Sequence, residues 1–169
     1  PISSRLVLKI KYKADGELDK YKGRLVARGF EARPGVDFFG TFAPMANMTS
    51  VRTLFALGVH HHLPIIHADV PQAFLQSEID VPQYLRLPRG VTIQPKNLDS
   101  YINTGDWSND VVKVLRSIYG LKSAPQLWNK MLNRSLTEDL HLSRGATDSC
   151  LYHFHDDDGW MLLATEVDD

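Results

Sequence analysis

Three aspartates follow apolar runs in this 169-residue chain, and their positions suggest chemistry. Asp69 comes at the end of LPIIHAD, while Asp168 and Asp169 come after WMLLATEV. If the two runs are neighbouring antiparallel strands, these ends can meet at one edge of a sheet. Like carboxylates gathered there repel unless a cation lies between them, and magnesium prefers such oxygen ligands. The spacing alone leaves two interpretations open, a divalent metal site and ordinary solvated turn residues.

Two divalent ions held in this way would support phosphoryl transfer, because they activate an attacking oxygen and stabilise a leaving one. Another acidic cluster, HDDDG at 155–159, contains more acid than the terminus. Its glycine and its two flanking strand patterns instead predict an exposed hairpin turn.

The charged residues are unevenly distributed. Residues 1–33 hold nine Lys and Arg against four Asp and Glu, whereas the net charge of the chain is −1. A basic segment on an acidic body suits a protein that binds phosphates with one part and places carboxylates in another. A solvated charged face is the alternative explanation. The single cysteine, Cys150, excludes internal disulfides and is typical of a buried core residue.

The first segment predicts a β-hairpin and a loop. Apolar and polar residues alternate on both sides of the turn pair Asp15-Gly16 in RLVLKIKYKADGELDKYKGRLVARGF. Gly and Pro punctuate residues 33–44, which indicates a loop. Thr49 is then a suitable N-cap for a helix. The apolar face of that helix would consist of Val51, Leu54, Phe55, Gly58 and Val59.

The middle of the chain predicts three strands and a short helix. Residues 63–70 form an apolar run that ends beside Asp69, and Pro71 suits the first turn of a helix over PQAFLQSEI. PQYLRLP and VVKVLRSIYGL have strand patterns, and residues 92–110 between them have the composition of a variable loop.

The last third predicts a helix and two strands. The helix follows SAP, and its buried stripe would consist of Trp128, Met131, Leu132, Leu136 and Leu140. The strands are DSCLYHFH and WMLLATEV. Strands and helices are mixed without regular βαβ alternation, so the sequence predicts an α+β fold with a largely antiparallel sheet.

Six blocks occur together in a specific order: YKGRLVARGF, TFAPMANMTSVRTLFAL, HADVPQAFL, YLRLPRG, SIYGLKSAPQLWNKML and EVDD. From Tyr21 to Asp169 the chain resembles the reverse transcriptase, or RNA-directed DNA polymerase, of copia-type LTR retrotransposons, a domain of their Pol polyprotein. The resemblance implies the fingers and palm of a right-hand polymerase, cut before the thumb. Residues 1–48 would be the fingers hairpin and loop, and residues 49–169 the palm with inserted fingers elements.

The resemblance also implies catalytic roles. Asp69, Asp168 and Asp169 match the catalytic aspartates, and with the Val70 carbonyl they would bind two Mg²⁺ ions, which Mn²⁺ can replace. The reaction would join a primer 3′-hydroxyl to the α-phosphate of a dNTP and release pyrophosphate.

Five further residues match nucleotide-binding positions. Phe74 would exclude a ribose 2′-hydroxyl, and Lys22, Arg24 and Arg28, on one face of the second hairpin strand, would hold the triphosphate. Gly120 would let the backbone pass close to the nucleotide. The alternatives are a core aromatic for Phe74, solvated surface for the cations and a plain turn for Gly120.

The implied partners are an RNA or DNA template with its primer, dNTPs and the remaining Pol segments, including the thumb and RNase H, without a membrane. The implied location is the cytoplasm, in the particle of the parent element, or the nucleus.

Glu166, Ser123 and Gln126 replace the tyrosine, glutamine and arginine usual in the family. We expect the isolated chain to have little polymerase activity, and the alternative function is a non-catalytic nucleic-acid-binding remnant of a retroelement.

Overall fold

The computed structural model describes residues 1–88, 90–91, 101–102, 111–157 and 159–166. In chain order the strands are β1 (Ile2–Tyr12), β2 (Leu18–Ala27), β3 (Glu78–Arg86), β4 (Tyr101–Ile102), β5 (Val111–Arg116), β6 (Ser143–Arg144), β7 (Leu151–His155) and β8 (Trp160–Ala164). The helices are α1 (Met48–His60), α2 (Ala73–Gln76) and α3 (Ala124–Arg134), with a 3₁₀ turn at Gly29–Glu31 and a π turn at Ser135–Asp139. The predicted α+β class is confirmed.

The chain divides into two compact units. The first consists of Pro1–Thr41 and Ala73–Leu127, and the second of Phe42–Gln72 and Trp128–Asp169. Within the described ranges, no helix has both the length and the apolar character that crossing a bilayer requires.

The first unit is built on the predicted hairpin. β1 and β2 pair antiparallel along most of their length, and Gly16 takes a left-handed φ of +87° in the turn between them. The amide of Glu17 donates to the Asp15 carboxylate at 2.9 Å, which closes the turn as Asp commonly does. The sequence prediction of this hairpin and its turn is confirmed.

A five-stranded sheet extends from the hairpin in the order β2-β1-β3-β5-β4. Every pair is antiparallel except β1 and β3, which pair in parallel at Ile2 and Ser3. The Ser4 hydroxyl donates to the Arg86 carbonyl at 2.6 Å and fixes the same junction. Both predicted strands of this region are confirmed. The predicted loop 92–110 lies outside the described residues except for β4, which is a strand.

Helix α1 in the second unit begins one residue before the predicted cap. Its N-cap is Asn47, whose side-chain oxygen accepts from the Thr49 amide at 2.9 Å. The prediction of Thr49 as the cap was therefore wrong, because Asn, an equally good cap, stands two residues earlier. On the predicted apolar face Gly58 is buried, whereas Phe55 and Val59 are exposed.

The predicted strand over residues 63–70 does not form. These residues adopt no helix or strand, and Ile65 and Ile66 are exposed by 48% and 85%. The Leu63 amide donates instead to the Gly58 carbonyl at 2.8 Å, and the Ile65 side chain approaches the same glycine. An apolar run becomes a strand only when a neighbouring strand pairs with its backbone, and none among the described residues does.

The helix predicted from Pro71 is shorter than expected. Pro71 and Gln72 form a turn in which Gln72 has a left-handed φ of +55°, and α2 begins only at Ala73. A non-glycine residue is strained at such a left-handed φ, which a helix cannot contain. The helix therefore begins only after Gln72.

The second unit has its own core between α3, the π turn and the three-stranded sheet β6-β7-β8. Leu136, Leu142 and Tyr152 are buried together, and the Tyr152 hydroxyl donates to the Asn133 side chain at 3.0 Å. Burial raises the pKa of Tyr152 and, beside it in sequence, of the Cys150 thiol. The sequence prediction of Cys150 as a core residue is confirmed.

The predicted stripe of the second helix is confirmed in part. Trp128 and Leu136 are buried and Leu132 packs against the core, but Leu140 is 60% exposed. The helical spacing assumed 3.6 residues per turn, and the wider π turn over Ser135–Asp139 carries Leu140 off that face.

Asp148 ties the start of α1 to the turn before β7. Its carboxylate accepts from the Asn47 amide at 2.8 Å and from the Cys150 amide at 3.0 Å. The bond from the Cys150 amide, followed by those from the Ser50 side chain and the Asn47 amide, lowers the pKa of Asp148 from 3.8. The ionised form therefore stabilises the fold above pH 3.8, and this stabilisation is lost as the pH falls through the lowered pKa.

We therefore expect Asp148→Asn to lower the free energy of unfolding at neutral pH and to flatten its decrease on acidification. Urea unfolding of the 169-residue chain across this pH range measures both effects. Asp157→Asn, in the exposed turn between β7 and β8, is the control. If Asp148→Asn leaves the pH dependence of unfolding unchanged, the assigned role of this carboxylate is wrong.

Candidate nucleotide site and candidate catalytic acid

The predicted phosphate-binding cations lie along β2 and just beyond its end. Lys22 and Arg24 share one face of the strand, opposite Lys9 and Val7 of β1. The strand ends at Ala27, so Arg28 lies just beyond it and precedes the 3₁₀ turn. The expectation that Arg28 shares the strand face was therefore wrong, because the chain turns at this residue (φ −86°, ψ 71°).

Arg28 also lies in the field of a carboxylate. Glu31 accepts from the Ser3 hydroxyl at 2.5 Å and from the Ser3 amide at 2.7 Å. These bonds, and to a smaller extent the positive charge of Arg28, lower the pKa of Glu31. Arg28 therefore lies near a carboxylate, whereas no described carboxylate forms an ion pair with Arg24.

Arg24 stacks on an aromatic ring. Its guanidinium carbon lies 4.8 Å from the ring centroid of Tyr119, which follows β5 in the chain. A cation over an aromatic face is stabilised by about 0.5–1 kcal/mol at an exposed position. Sequence reasoning missed Tyr119, because nothing in its local pattern distinguishes it from a core aromatic.

Phe74 packs against the same ring. The centroids of Phe74 and Tyr119 lie 5.2 Å apart with the planes inclined by 67°, a favourable edge-to-face arrangement. Phe74 is 8% exposed and sits on α2. The Ser77 hydroxyl donates to the Phe74 carbonyl at 3.0 Å, and Ser117 donates its amide to the Ser77 carbonyl at 2.9 Å. These bonds anchor α2 to the end of β5, close in sequence to Tyr119.

Gly120 completes the group through its backbone. The Tyr119 carbonyl accepts from the Ala27 amide at 2.8 Å, and the Gly120 carbonyl accepts from the Gly29 amide at 3.1 Å. Gly120 has a φ of +87°, and a Cβ there would collide with the Ala27 carbonyl oxygen. A Cβ on Gly29 would collide with the Gly120 carbonyl oxygen. The structure therefore brings Arg24, Phe74 and Gly120 together around Tyr119.

This arrangement suits a phosphate-bearing ligand. Arg24 is exposed, so its five donors remain accessible, and a guanidinium binds phosphate oxygens in pairs. The half-buried Tyr119 ring and the buried Phe74 ring behind it supply an apolar wall. A charged group on a rigid support is a feature of sites that bind small anionic molecules.

The candidate catalytic acid lies in the second unit. Asp69 is exposed and makes no hydrogen bond or ion pair with any described residue, and Val70 beside it is 44% exposed. Asp168 and Asp169 lie outside the described residues. Across the described part of the chain, no three His, Cys, Asp or Glu side chains converge to hold a metal ion. Glu166 is exposed after β8.

Ser123 and Gln126, the two expected departures from the family pattern in the first unit, have packing positions there. Ser123 is 1% exposed, and its hydroxyl has no hydrogen-bond partner among the described residues. The side-chain amide of Gln126 lies against Gly40, where a Cβ would come within 2.5 Å of its nitrogen.

The α+β fold and the cation–aromatic site are compatible with a nucleic-acid polymerase domain. The family described as "Reverse transcriptase (RNA-dependent DNA polymerase)" matches residues 1–169, and the chain belongs to this family. Its similarity to transposon polyproteins places it with the copia-type retrotransposon reverse transcriptases.

Two plant proteins show this similarity over nearly the whole chain. One is the "Retrovirus-related Pol polyprotein from transposon TNT 1-94" of Nicotiana tabacum, 31% identical over 100% of this chain and 12% of its own length. The other is the corresponding RE1 polyprotein of Arabidopsis thaliana, 32% identical over 99% of this chain and 11% of its own length. The chain therefore spans only about an eighth of these relatives. No solved structure matches it.

The close approach at Gly120 predicts a large difference between two glycines with the same φ of +87°. Gly120→Ala should destabilise the chain by more than about 3 kcal/mol, because strain and a backbone collision add. Gly16→Ala meets no atom within 4 Å and should cost only about 1 kcal/mol. Chemical denaturation of both variants measures the difference. Equal losses would contradict the packing described around Gly120.

Proposed function

We propose that this chain carries the nucleotidyl-transfer site of an RNA-directed DNA polymerase. The observation that carries the proposal is the group formed by Arg24, Tyr119 and Phe74. The family resemblance matches two of these residues, Arg24 and Phe74, to nucleotide-binding positions. In the reaction, a bond forms between a primer 3′-oxygen and the α-phosphorus of a dNTP, the α–β phosphoanhydride bond breaks, and pyrophosphate leaves.

The cations have graded roles in this proposal. Arg24 contacts the triphosphate through its guanidinium, and Lys22, two residues away on the same face, adds a point charge. Arg28 contributes less, because Glu31 balances part of its field. Positive charge at the phosphates binds the substrate and stabilises the negative charge of the transferring group.

Phe74 and Gly120 limit the space available to the sugar and base of the incoming dNTP. Phe74 is held by its ring contact with Tyr119, so it cannot easily move away from a ribose 2′-hydroxyl. Selection of deoxynucleotides then works by exclusion. Gly120 leaves room for the nucleotide because it has no side chain.

The carboxylates have a separate role in the proposal, as metal ligands. Asp69 offers an exposed carboxylate that no described residue engages, and it fits the oxygen donors that a divalent metal requires. Asp69, Asp168 and Asp169, with the Val70 carbonyl, would hold Mg²⁺ or Mn²⁺. Bound metal ions supply Lewis-acid activation of the primer hydroxyl and charge neutralisation at the phosphates.

The wider assignment follows from the same proposal. Residues 1–48 would serve as fingers and residues 49–169 as palm with inserted fingers elements. The partners would be a primed RNA or DNA template, dNTPs and other Pol segments such as the thumb and RNase H. The protein would act in the cytoplasmic particle of its element or in the nucleus.

Asp69→Asn should abolish nucleotide incorporation, because the amide oxygen carries no formal charge to bind a divalent ion. The loss should be at least about a hundredfold, the cost of removing one group that stabilises transition-state charge. The assay is primer extension on a primed RNA template with Mg²⁺. The protein assayed is the chain together with any polypeptide encoded contiguously with it.

Asp80→Asn, at an exposed position on β3, is the matched control and should extend primers like the unsubstituted protein. Undiminished, metal-dependent extension by Asp69→Asn would rule out its catalytic role. Salt-sensitive template binding without any incorporation by the unsubstituted protein would favour the nucleic-acid-binding alternative instead.

Phe74→Val should relax the choice of sugar. Shortening the ring makes room for a 2′-hydroxyl, so the ratio of kcat/KM for dNTP over rNTP should fall by roughly 10–100-fold. Phe55→Val, at a 48% exposed position on α1, is the control and should leave the ratio unchanged. An unchanged ratio in Phe74→Val would make Phe74 a core residue only.

A further inference from the structure

We infer that Tyr119 is a positioning residue that aims the guanidinium of Arg24 at the triphosphate. The inference rests on the proposed function in one respect, since it takes Arg24 to be a phosphate ligand. Neither the sequence pattern nor the family resemblance pointed to Tyr119. Its role follows from the contacts that its ring and backbone make in the first unit.

Arg24 needs such a support. It lies on a strand near the exposed part of the hairpin, and no described carboxylate forms an ion pair with it. A long exposed side chain without a partner samples many rotamers, and binding a ligand would have to restrict them. The Tyr119 ring, 4.8 Å from the guanidinium carbon, restricts them beforehand without neutralising the charge.

The Tyr119 ring is itself held in place. Phe74 packs edge-to-face against it at 5.2 Å, and the Tyr119 carbonyl accepts from the Ala27 amide at 2.8 Å. Ala27 belongs to the strand that carries Arg24. The backbone hydrogen bond and the cation–π contact thus both connect β2 with the turn that follows β5. Together they fix the distance between the Tyr119 ring and the Arg24 guanidinium.

The ring face, and not the hydroxyl, carries this role. The Tyr119 hydroxyl forms no hydrogen bond with any described residue, so Tyr119→Phe keeps every observed contact. Tyr119→Leu keeps a similar apolar volume but removes the face on which the guanidinium rests. The pair of variants separates stacking from simple occupation of space.

Binding of inorganic tripolyphosphate provides a test that does not depend on catalysis. Calorimetry on the chain, together with any polypeptide encoded contiguously with it, should give a Kd about two- to fivefold weaker for Tyr119→Leu, as expected for a lost cation–π contact. Tyr119→Phe should bind like the unsubstituted protein. Tyr21→Leu, at a 75% exposed tyrosine on the opposite face of β2, is the control and should also bind normally.

A double-mutant cycle with Arg24→Gln shows whether Tyr119 acts through Arg24. Once the guanidinium is absent, Tyr119→Leu should weaken binding no further. If it weakens binding equally in both backgrounds, or if Tyr119→Phe is as defective as Tyr119→Leu, the inference is overturned. Failure of the unsubstituted protein to bind tripolyphosphate would overturn it as well. Circular dichroism at the assay temperature identifies any variant that has unfolded.

Steady-state incorporation of dTTP separates this inference from the proposed function. The KM of Tyr119→Leu should rise about two- to fivefold with kcat nearly unchanged, since ground-state and transition-state phosphates are held alike. Normal KM values in all Tyr119 variants of an active enzyme would refute the inference and leave the function intact. The predicted tripolyphosphate pattern in a protein that incorporates no nucleotide would refute the function and leave the inference intact.

Discussion

The candidate nucleotide site depends on one close backbone approach, between the end of β2 and the turn after β5. Two hydrogen bonds cross it, from the Ala27 amide to Tyr119 and from the Gly29 amide to Gly120. They form only because both glycines lack a Cβ, since either would collide with a backbone carbonyl across the gap. Any movement that opened this contact would separate Arg24 from the ring on which it stacks. Backbone geometry therefore sets the distance between a charge and an aromatic face, and the side chains adapt to it.

The β1–β2 hairpin, which leads into this contact, places positive charges opposite one another, and their repulsion lowers the stability of the strand pair. Lys9 faces Lys22 across the two strands, and Lys11 faces Lys20. Like charges directly opposite one another destabilise an antiparallel pair. Acidic residues of the hairpin compensate part of this charge, since Asp19 lies 3.9 Å from Lys20 and Glu17 lies 3.0 Å from Lys13.

Local patterns predicted the fold where local forces decide it. Alternation and Asp15-Gly16 were sufficient for the hairpin, since its register is fixed by a short turn. The segment 63–70 shows the limit, because strand formation requires a partner that the segment's own residues cannot reveal. At the site, residue types and family blocks pointed to Arg24, Phe74 and Gly120, but not to Tyr119. Its importance arises from contacts with residues 95 and 45 positions away in the chain, a relation that no window of sequence displays.

The departures from the family pattern in this unit fall on supporting positions. Ser123 is buried, and Gln126 packs against Gly40, so neither side chain forms part of the Arg24–Tyr119–Phe74 group. Their direct contacts are with the packing around them and not with the guanidinium of Arg24 or the Tyr119 ring. Because several backbone bonds hold the group, it can tolerate change in neighbouring side chains better than a site built from side-chain contacts alone. Side-chain differences at Ser123 and Gln126 therefore act first on the packing of the unit and only through it on the group around Tyr119.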